Sequence, residues 1–303
     1  MLFDDPSWPR ASAWLAEGVR RGAPVCTAIG VPTAAGSISP SRADLTPSAF
    51  REVLDHFSPF DGEGGVDLGE VPIEDRGDWD VAALGLDEML SEVTARAGEL
   101  PDDRVHVFIG GDNAITRPLA RGIAHGDLEG IAVLTFDAHH DVRTLDQGAL
   151  NGTPIRGLIE DGLPGANVAQ IGIHSFANSA TYRAFCDDAG ITVYTMEEVD
   201  RRGVVTVVDD ALQRLVARAG RVYVDFDLDV LDRAYAPGCP GSRPGGMAPR
   251  QLAAAARRCG THPGVIAADF VEVDAAADPD RLTLMQLATA FLAFVSGLST
   301  REG

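Results

Sequence analysis

The sequence predicts an α/β protein, with a mostly parallel sheet between helices on both faces. Two observations carry that expectation. Short runs rich in valine and isoleucine alternate with segments of helical periodicity from end to end. Those runs are bounded by glycine or proline and apolar almost throughout, as strands covered on both faces are. A third observation bears on domains. No composition break, long linker or internal repeat divides the 303 residues, so one domain spanning 1–303 is expected, although length alone would allow two.

In chain order, Pro24–Val31 reads as the first strand. Pro47 after Thr46 resembles a capped helix start, with the helix running Ser48–Phe57. Asp80–Ala97 makes a longer amphipathic helix. Val105–Gly110, Ile131–Phe136 and Val168–Ile173 follow as buried strands. Val205, Val208, Leu212, Leu215 and Ala219 then recur at three- and four-residue steps, the apolar stripe of a helix. Arg221–Phe226 and Gly264–Val273 are the last strands, and Pro249 opens a helix over Arg250–Arg258 between them. The apolar run Leu287–Leu298 contains threonine, serine and glycine and falls short of the ~18 residues a membrane span needs. It reads as a buried terminal helix.

Composition narrows the chemistry. The 45 acidic residues outweigh 25 basic ones for a net charge of −20, and every base is arginine. Absent lysine excludes a lysine Schiff base and a P-loop lysine; codon bias or salt adaptation also produces such a composition. The acidic balance disfavours nucleic acid and anionic membrane as partners and favours metal ions or a cationic substrate. Four cysteines (Cys26, Cys186, Cys239, Cys259) show no zinc-ligand spacing. They read as core thiols of a cytoplasmic protein, and the acidic start MLFDDPSWPRASAW lacks the apolar region of a secretory signal.

In parallel α/β sheets ligands sit at the carboxyl ends of strands, and here those ends are acidic. The strand Ile131–Phe136 runs into Asp137-Ala138-His139-His140-Asp141. Alternation in an extended segment would bring Asp137, His139 and Asp141 together while Ala138 and His140 face away. Arg221–Phe226 leads into Asp227-Leu228-Asp229, with Asp232 beyond. So many carboxylates at one sheet edge need counter-charge, and hard oxygen donors with one imidazole suit Mn²⁺, with Fe²⁺, Ni²⁺ or Zn²⁺ as alternatives. Five or more donors point to two ions. A third strand end, Gly110-Gly111-Asp112-Asn113, adds glycines for close approach and an amide oxygen, or else only a turn that caps the next helix.

Together these segments resemble the ureohydrolase (arginase/agmatinase) family. The matching pieces are GGDNAIT (110–116), FDAHHD (136–141), DFDLDVLDRAYAPG (225–238) and FVEV (270–273). The resemblance implies a three-layer α/β/α sandwich, two Mn²⁺ ions per subunit and assembly as a homo-oligomer, a trimer or hexamer. It implies Asp137, His139, Asp141, Asp227 and Asp229 as metal ligands and Glu272 as the residue that binds a guanidinium or amidinium. Asn113 stands where the family usually has a metal-binding histidine, and an amide oxygen is a weaker donor. Two bridged ions, with Asp141 and Asp227 as the bridging carboxylates, would activate water for attack, and Asp141 would pass a proton to the leaving nitrogen.

The loop DVRTLDQGALNGTPIRG (141–157) is closest to formimidoylglutamases within that family. Asn151 occupies the approximate place of a proton-shuttling histidine in arginases and agmatinases. Arg143 could offer a bidentate fork to a substrate carboxylate, or pair with Asp146; Arg156 is a more remote candidate. His174, at a strand end, would line the pocket or pack as a satisfied histidine. Residues Ser37–Asp44 have no spacing argument that places them. The expected substrate is N-formimidoyl-L-glutamate. Agmatine and other guanidino compounds are the alternative, and a metal-poor, non-catalytic member of the family is a third reading that rests on Asn113.

Overall fold

The computed structural model describes residues 5–18 and 22–301. Eight strands form one sheet in which every neighbouring pair is parallel: β1 (Cys26–Val31), β4 (Ile73–Asp78), β5 (Val105–Gly110), β6 (Ala132–Phe136), β7 (Val168–Ile173), β8 (Thr192–Thr195), β9 (Val222–Asp227) and β10 (Val265–Val271). Their order across the sheet is β4-β1-β5-β10-β9-β6-β7-β8. A separate antiparallel pair, β2 (Phe60–Asp61) and β3 (Val66–Asp67), lies outside it.

Residues on successive positions of each strand feed two cores. Leu134 and Phe136 join one cluster with helices α1 (Ala11–Glu17), α2 (Thr46–Val53), α7 (Met196–Arg202), α8 (Val204–Ala219), α9 (Pro249–Thr261) and α10 (Leu282–Ser299). Val133 joins the other, with α3 (Leu86–Gly98), α4 (Thr116–Ile123), α5 (Pro154–Glu160) and α6 (Ala180–Ala189). The expected three layers are therefore present. Helix α10 is apolar enough to cross a membrane, yet most of its length is buried inside the fold, over Phe226 and Phe270.

All six strands expected from the sequence form. The edge strands β4 and β8 are additional. The sequence of β4, IEDRGD, carries four charges and has one fully buried residue, Ile73, where the inner strand β5 is buried throughout, which is why no apolar run marks it. The helix expected over Asp80–Ala97 begins only at Leu86, because Gly85 is its cap and turns fill the preceding residues.

Strand register delivers the site. Phe136, Phe226 and Phe270 are partners across β6, β9 and β10, and their rings stack with centroids 4.8 and 4.7 Å apart. Each stacked pair adds about 0.5–1.5 kcal/mol beyond burial, so slippage of one strand would break the ladder. With the ladder in place, Asp137 and Asp227 follow immediately at neighbouring strand ends.

Candidate active site

Four central strands, β5, β10, β9 and β6, end side by side. They bring together Asn113, Glu272, Asp227 with Asp229, and Asp137. Two donor groups result: Asp137, His139 and Asp229, and Asp137, Asp141 and Asp227, the candidate ligand atoms of each lying within 4.8 Å of one another. Asp137 belongs to both. Asp141 and Asp227, the carboxylates expected to bridge, stand together in the second group.

The segment that carries three of these donors is not extended. The chain bends at Ala138 and His139, and Asp141 adopts φ 51°. His140 faces away, as alternation predicted, with Nδ1 2.7 Å from Gln170 Oε1, but local hydrogen bonds set the shape. The Gln170 amide donates to the His140 carbonyl, the His140 amide to Asn178 Oδ1 at 2.9 Å, and Asn178 Nδ2 to the Ala138 carbonyl. Gln170 and Asn178 thus hold the turn, and nothing in the sequence flagged either.

The site is electrostatically incomplete without cations. Burial and the Asp229 charge push Asp137 up to about 6. Burial, with Asp229 and Asp137 beside it, raises Asp227 well above the usual carboxylate range, and burial with Asp137 does the same to Asp141. His139 is raised to about 12 by Asp229, whose Oδ2 lies 2.8 Å from Nδ1. Burial opposes ionisation of Asp229, but the His139 charge and hydrogen bonds outweigh it and hold the group at about 2. Carboxylates with no other counter-charge and one imidazole suit a divalent ion with oxygen preference. The residues present fit such ions.

Glu272 closes one side. It has φ 69°, a region that non-glycine residues enter only under constraint. Its amide donates to the Gly111 carbonyl at 3.0 Å. Gly111 must be glycine, since a Cβ there would overlap the Thr33 backbone. Glu272 Oε1 accepts from the Asn113 amide at 2.7 Å and from Asn151 Nδ2 at 2.8 Å. Burial and Asp112 push its carboxyl up to about 8 against those bonds.

A cavity of about 150 Å³ opens over these groups, lined by His139, Asp141, Asp227, Asp229, Glu272 and Asn151 together with Arg143, Asn178, Tyr182 and Arg243. The stretch that the sequence left unplaced supplies part of the rim. Ile38 and Ser39 line the cavity, the Ile38 amide donates to Asn151 Oδ1, and Ser37 Oγ donates to Asp112 Oδ2. Arg143 is in no ion pair among the described residues, and its stem lies against Gly152, where a Cβ would strike it. Arg243, unmarked by any motif, is brought in by the loop after β9.

His174, Arg156 and Asp232 do not line this cavity. His174 is buried; its Nε2 lies 3.0 Å from the Val230 carbonyl, so it packs as a strand-end histidine. Arg156 pairs with Glu160 at 2.6 Å and stacks over Phe185. Asp232, beyond Asp229, caps its own loop by accepting from the Ala234 and Gly245 amides.

Known proteins share this architecture. The family model described as Arginase family matches residues 25–296. The chain belongs to the arginase family. It is 37% identical over 274 residues to a formimidoylglutamase of Halalkalibacterium halodurans, covering 89% of this chain and 86% of the relative. The crystal structure of formimidoylglutamase from Bacillus subtilis superposes with a TM-score of 0.92 at 30% identity, covering 100% of this chain and 96% of that one. The fold also matches Trypanosoma cruzi formiminoglutamase solved with Mn²⁺, at TM-score 0.87 and 24% identity, covering 97% of this chain and 100% of that one. This arginase-family protein is thus a hydrolase acting on C–N bonds, with a cluster of Asp and His residues suited to metal at the carboxyl edge of its sheet.

Proposed function

We propose that the protein hydrolyses N-formimidoyl-L-glutamate, water adding to the amidine carbon and the C–N bond breaking to leave formamide and L-glutamate. The observation that carries this reading is that Glu272 and Arg143, which is in no ion pair among the described residues, line the same cavity. A substrate with an amidinium at one end and carboxylates at the other needs opposite charges placed in that way. Arg243, which also lines the cavity, gives Nη1 to the Gly241 and Ser242 carbonyls and keeps Nε and Nη2 for the second carboxylate. The relatives named above support the same substrate.

Asp137, His139, Asp141, Asp227, Asp229 and the amide of Asn113 would hold two Mn²⁺ ions. Such ions, when bound, make water nucleophilic at neutral pH. Glu272 Oε1 is occupied by Asn113 and Asn151, and Oε2 is the oxygen assigned to the amidinium, which it orients for attack. Asn151 acts here by holding Glu272 in place. Asp141, which lines the cavity, carries the proton to the departing nitrogen. The protein is proposed to act in the cytoplasm, and light scattering checks the trimer or hexamer implied by the resemblance.

The test assays Mn²⁺-loaded protein against formimidoylglutamate, agmatine, arginine and guanidinobutyrate side by side. Formamide from the first and no urea from the others is expected. Urea from agmatine with no formamide from formimidoylglutamate overturns the substrate. Arg143→Ala should raise KM for formimidoylglutamate by about 10-fold or more, the worth of one charge-assisted contact; an unchanged KM removes Arg143 from the carboxylate site.

A further inference from the structure

Behind the acidic cluster, four buried side chains form a hydrogen-bond chain in which one hydroxyl, that of Thr116, faces two acceptors whenever Asp269 is ionised. Asn113 turns its amide nitrogen toward the acids, 2.8 Å from Asp141 Oδ2 and 3.3 Å from Asp227 Oδ2. Its oxygen faces back to Thr116 Oγ1 at 2.7 Å, and that hydroxyl also stands 2.8 Å from Asp269 Oδ2. Asp269 Oδ2 accepts from the Tyr223 hydroxyl as well, at 2.7 Å. A hydroxyl carries one proton, so Thr116 can donate to Asn113 or to Asp269, and not to both. Asn113, Thr116, Tyr223 and Asp269 are all buried, which leaves little room for water to make up the difference.

A half-turn of the Asn113 carboxamide resolves the conflict. Its nitrogen then donates to Thr116 Oγ1, and the hydroxyl proton goes to Asp269. Asp269 is well suited to receive it. The neighbouring carboxyl on β9 is Asp225, its register partner, whose side chain meets Asp269 and finds no other hydrogen-bond partner among the described residues. The same half-turn points the carboxamide oxygen at Asp141 and Asp227. Those carboxylates would repel it when alone and draw it in once a cation lies between them. The nitrogen-inward rotamer suits carboxylates without an ion, and the oxygen-inward rotamer suits a bound one.

We propose that Thr116 and Asp269 are positioning residues that latch the Asn113 carboxamide with its oxygen toward the metal, so that the amide turns over as the ion binds. The proposal rests on the reading of Asn113, Asp137, Asp141 and Asp227 as metal ligands. It gives a physical reason why an amide can serve in place of an imidazole. A neutral oxygen is a weak donor, but a latch that pairs the amide nitrogen removes the competing rotamer and orients the ligand. The sequence carries all of the parts in two places, Asn113-Ala-Ile-Thr116 and Asp269 three residues before Glu272.

The experiment titrates the full chain, stripped of metal, with Mn²⁺ and counts the free ion by its electron paramagnetic resonance signal. Wild type should take up two ions. Thr116→Val should weaken one of the two by about 10–100-fold, the range for contacts that orient a ligand, while Thr116→Ser should restore it. In an Asn113→Ala background, Thr116→Val should change affinity less than about twofold, since no amide remains to latch. Thr116→Ala serves if the valine variant does not fold. Two ions bound as tightly in Thr116→Val as in wild type overturns the latch, as does an equal loss with and without the Asn113 amide. A wild-type protein that takes up no Mn²⁺ overturns the ligand reading itself, and the latch with it.

Discussion

Acidic side chains meet two different environments in this molecule. On the surface they are answered by arginine: Arg117 clasps Asp161 through two nitrogens at 2.8 Å, Arg51 spans Asp75 and Asp78, and Arg202 joins Glu198 to Asp210. At the carboxyl edge of the sheet, Asp137, Asp141, Asp227 and Glu272 have no guanidinium partner among the described residues, and His139 is the one cation among them. The contrast separates two uses of charge. Where water can screen, a fixed arginine pairs each acid at small gain. Where burial makes charge costly, the fold leaves the acids unpaired, and their raised pKa values record the counter-charge that divalent ions would bring.

The strongest test of that contrast removes a site acid. Asp137→Ala should weaken Mn²⁺ uptake by more than about 100-fold, beyond the worth of an outer contact, and abolish turnover with it. Chelation of the wild type should cause the same loss and added Mn²⁺ should reverse it. Full turnover by metal-free Asp229→Ala protein would break the comparison at its root.

Glu272→Gln keeps the shape and removes the charge. An amidinium left without its buried counter-ion loses about 3 kcal/mol, so kcat/KM should fall by about 100-fold. A fall confined to less than about threefold would place substrate charge recognition elsewhere.

The two environments should also differ in their response to pH. Asp137 and Glu272 have folded pKa values of about 6 and about 8, above those of the unfolded chain. The metal-free folded state therefore holds more protons than the unfolded state, and its stability falls as pH rises from about 4 to 8. His139, raised to about 12, acts in the same direction above about 6.5. Thermal melting of metal-depleted protein should show a declining Tm across that window, and saturating Mn²⁺ should flatten the slope. A Tm that rises between pH 5 and 8 in the metal-free protein contradicts the assignment. The smallest effect belongs to the surface, where Arg183 pairs with Asp187 at 3.0 Å and both are exposed: Arg183→Ala should cost about 1 kcal/mol or less in denaturant melts and leave Mn²⁺ uptake unchanged.

Much of the site was legible because its residues are contiguous. Asp137 to Asp141 and Asp227 to Asp229 each follow a strand that apolar composition alone reveals, and strand ends are where parallel sheets bind ligands. The parts that were not legible depend on partners distant in sequence. His174 has the residue type and the strand-end position of a pocket residue, and only the Val230 carbonyl, 56 residues away, removes it from the pocket. Arg243 belongs to no motif, and Gln170 and Asn178 act by holding a turn of another segment.

By itself, the sequence determined which strands are buried, that acids crowd their ends, and that arginine alone can meet a substrate carboxylate, because composition and short-range periodicity encode each of these locally. Tertiary structure decided which acid is shared. The order β5-β10-β9-β6 inserts two late strands between two early ones, and the Phe136–Phe226–Phe270 ladder sets their register. That placement makes Asp137 common to both donor groups. It also sets Thr116 between Asn113 and Asp269. Neither result follows from spacing along the chain, since each depends on which strands lie side by side and on how many protons a buried hydroxyl has to give.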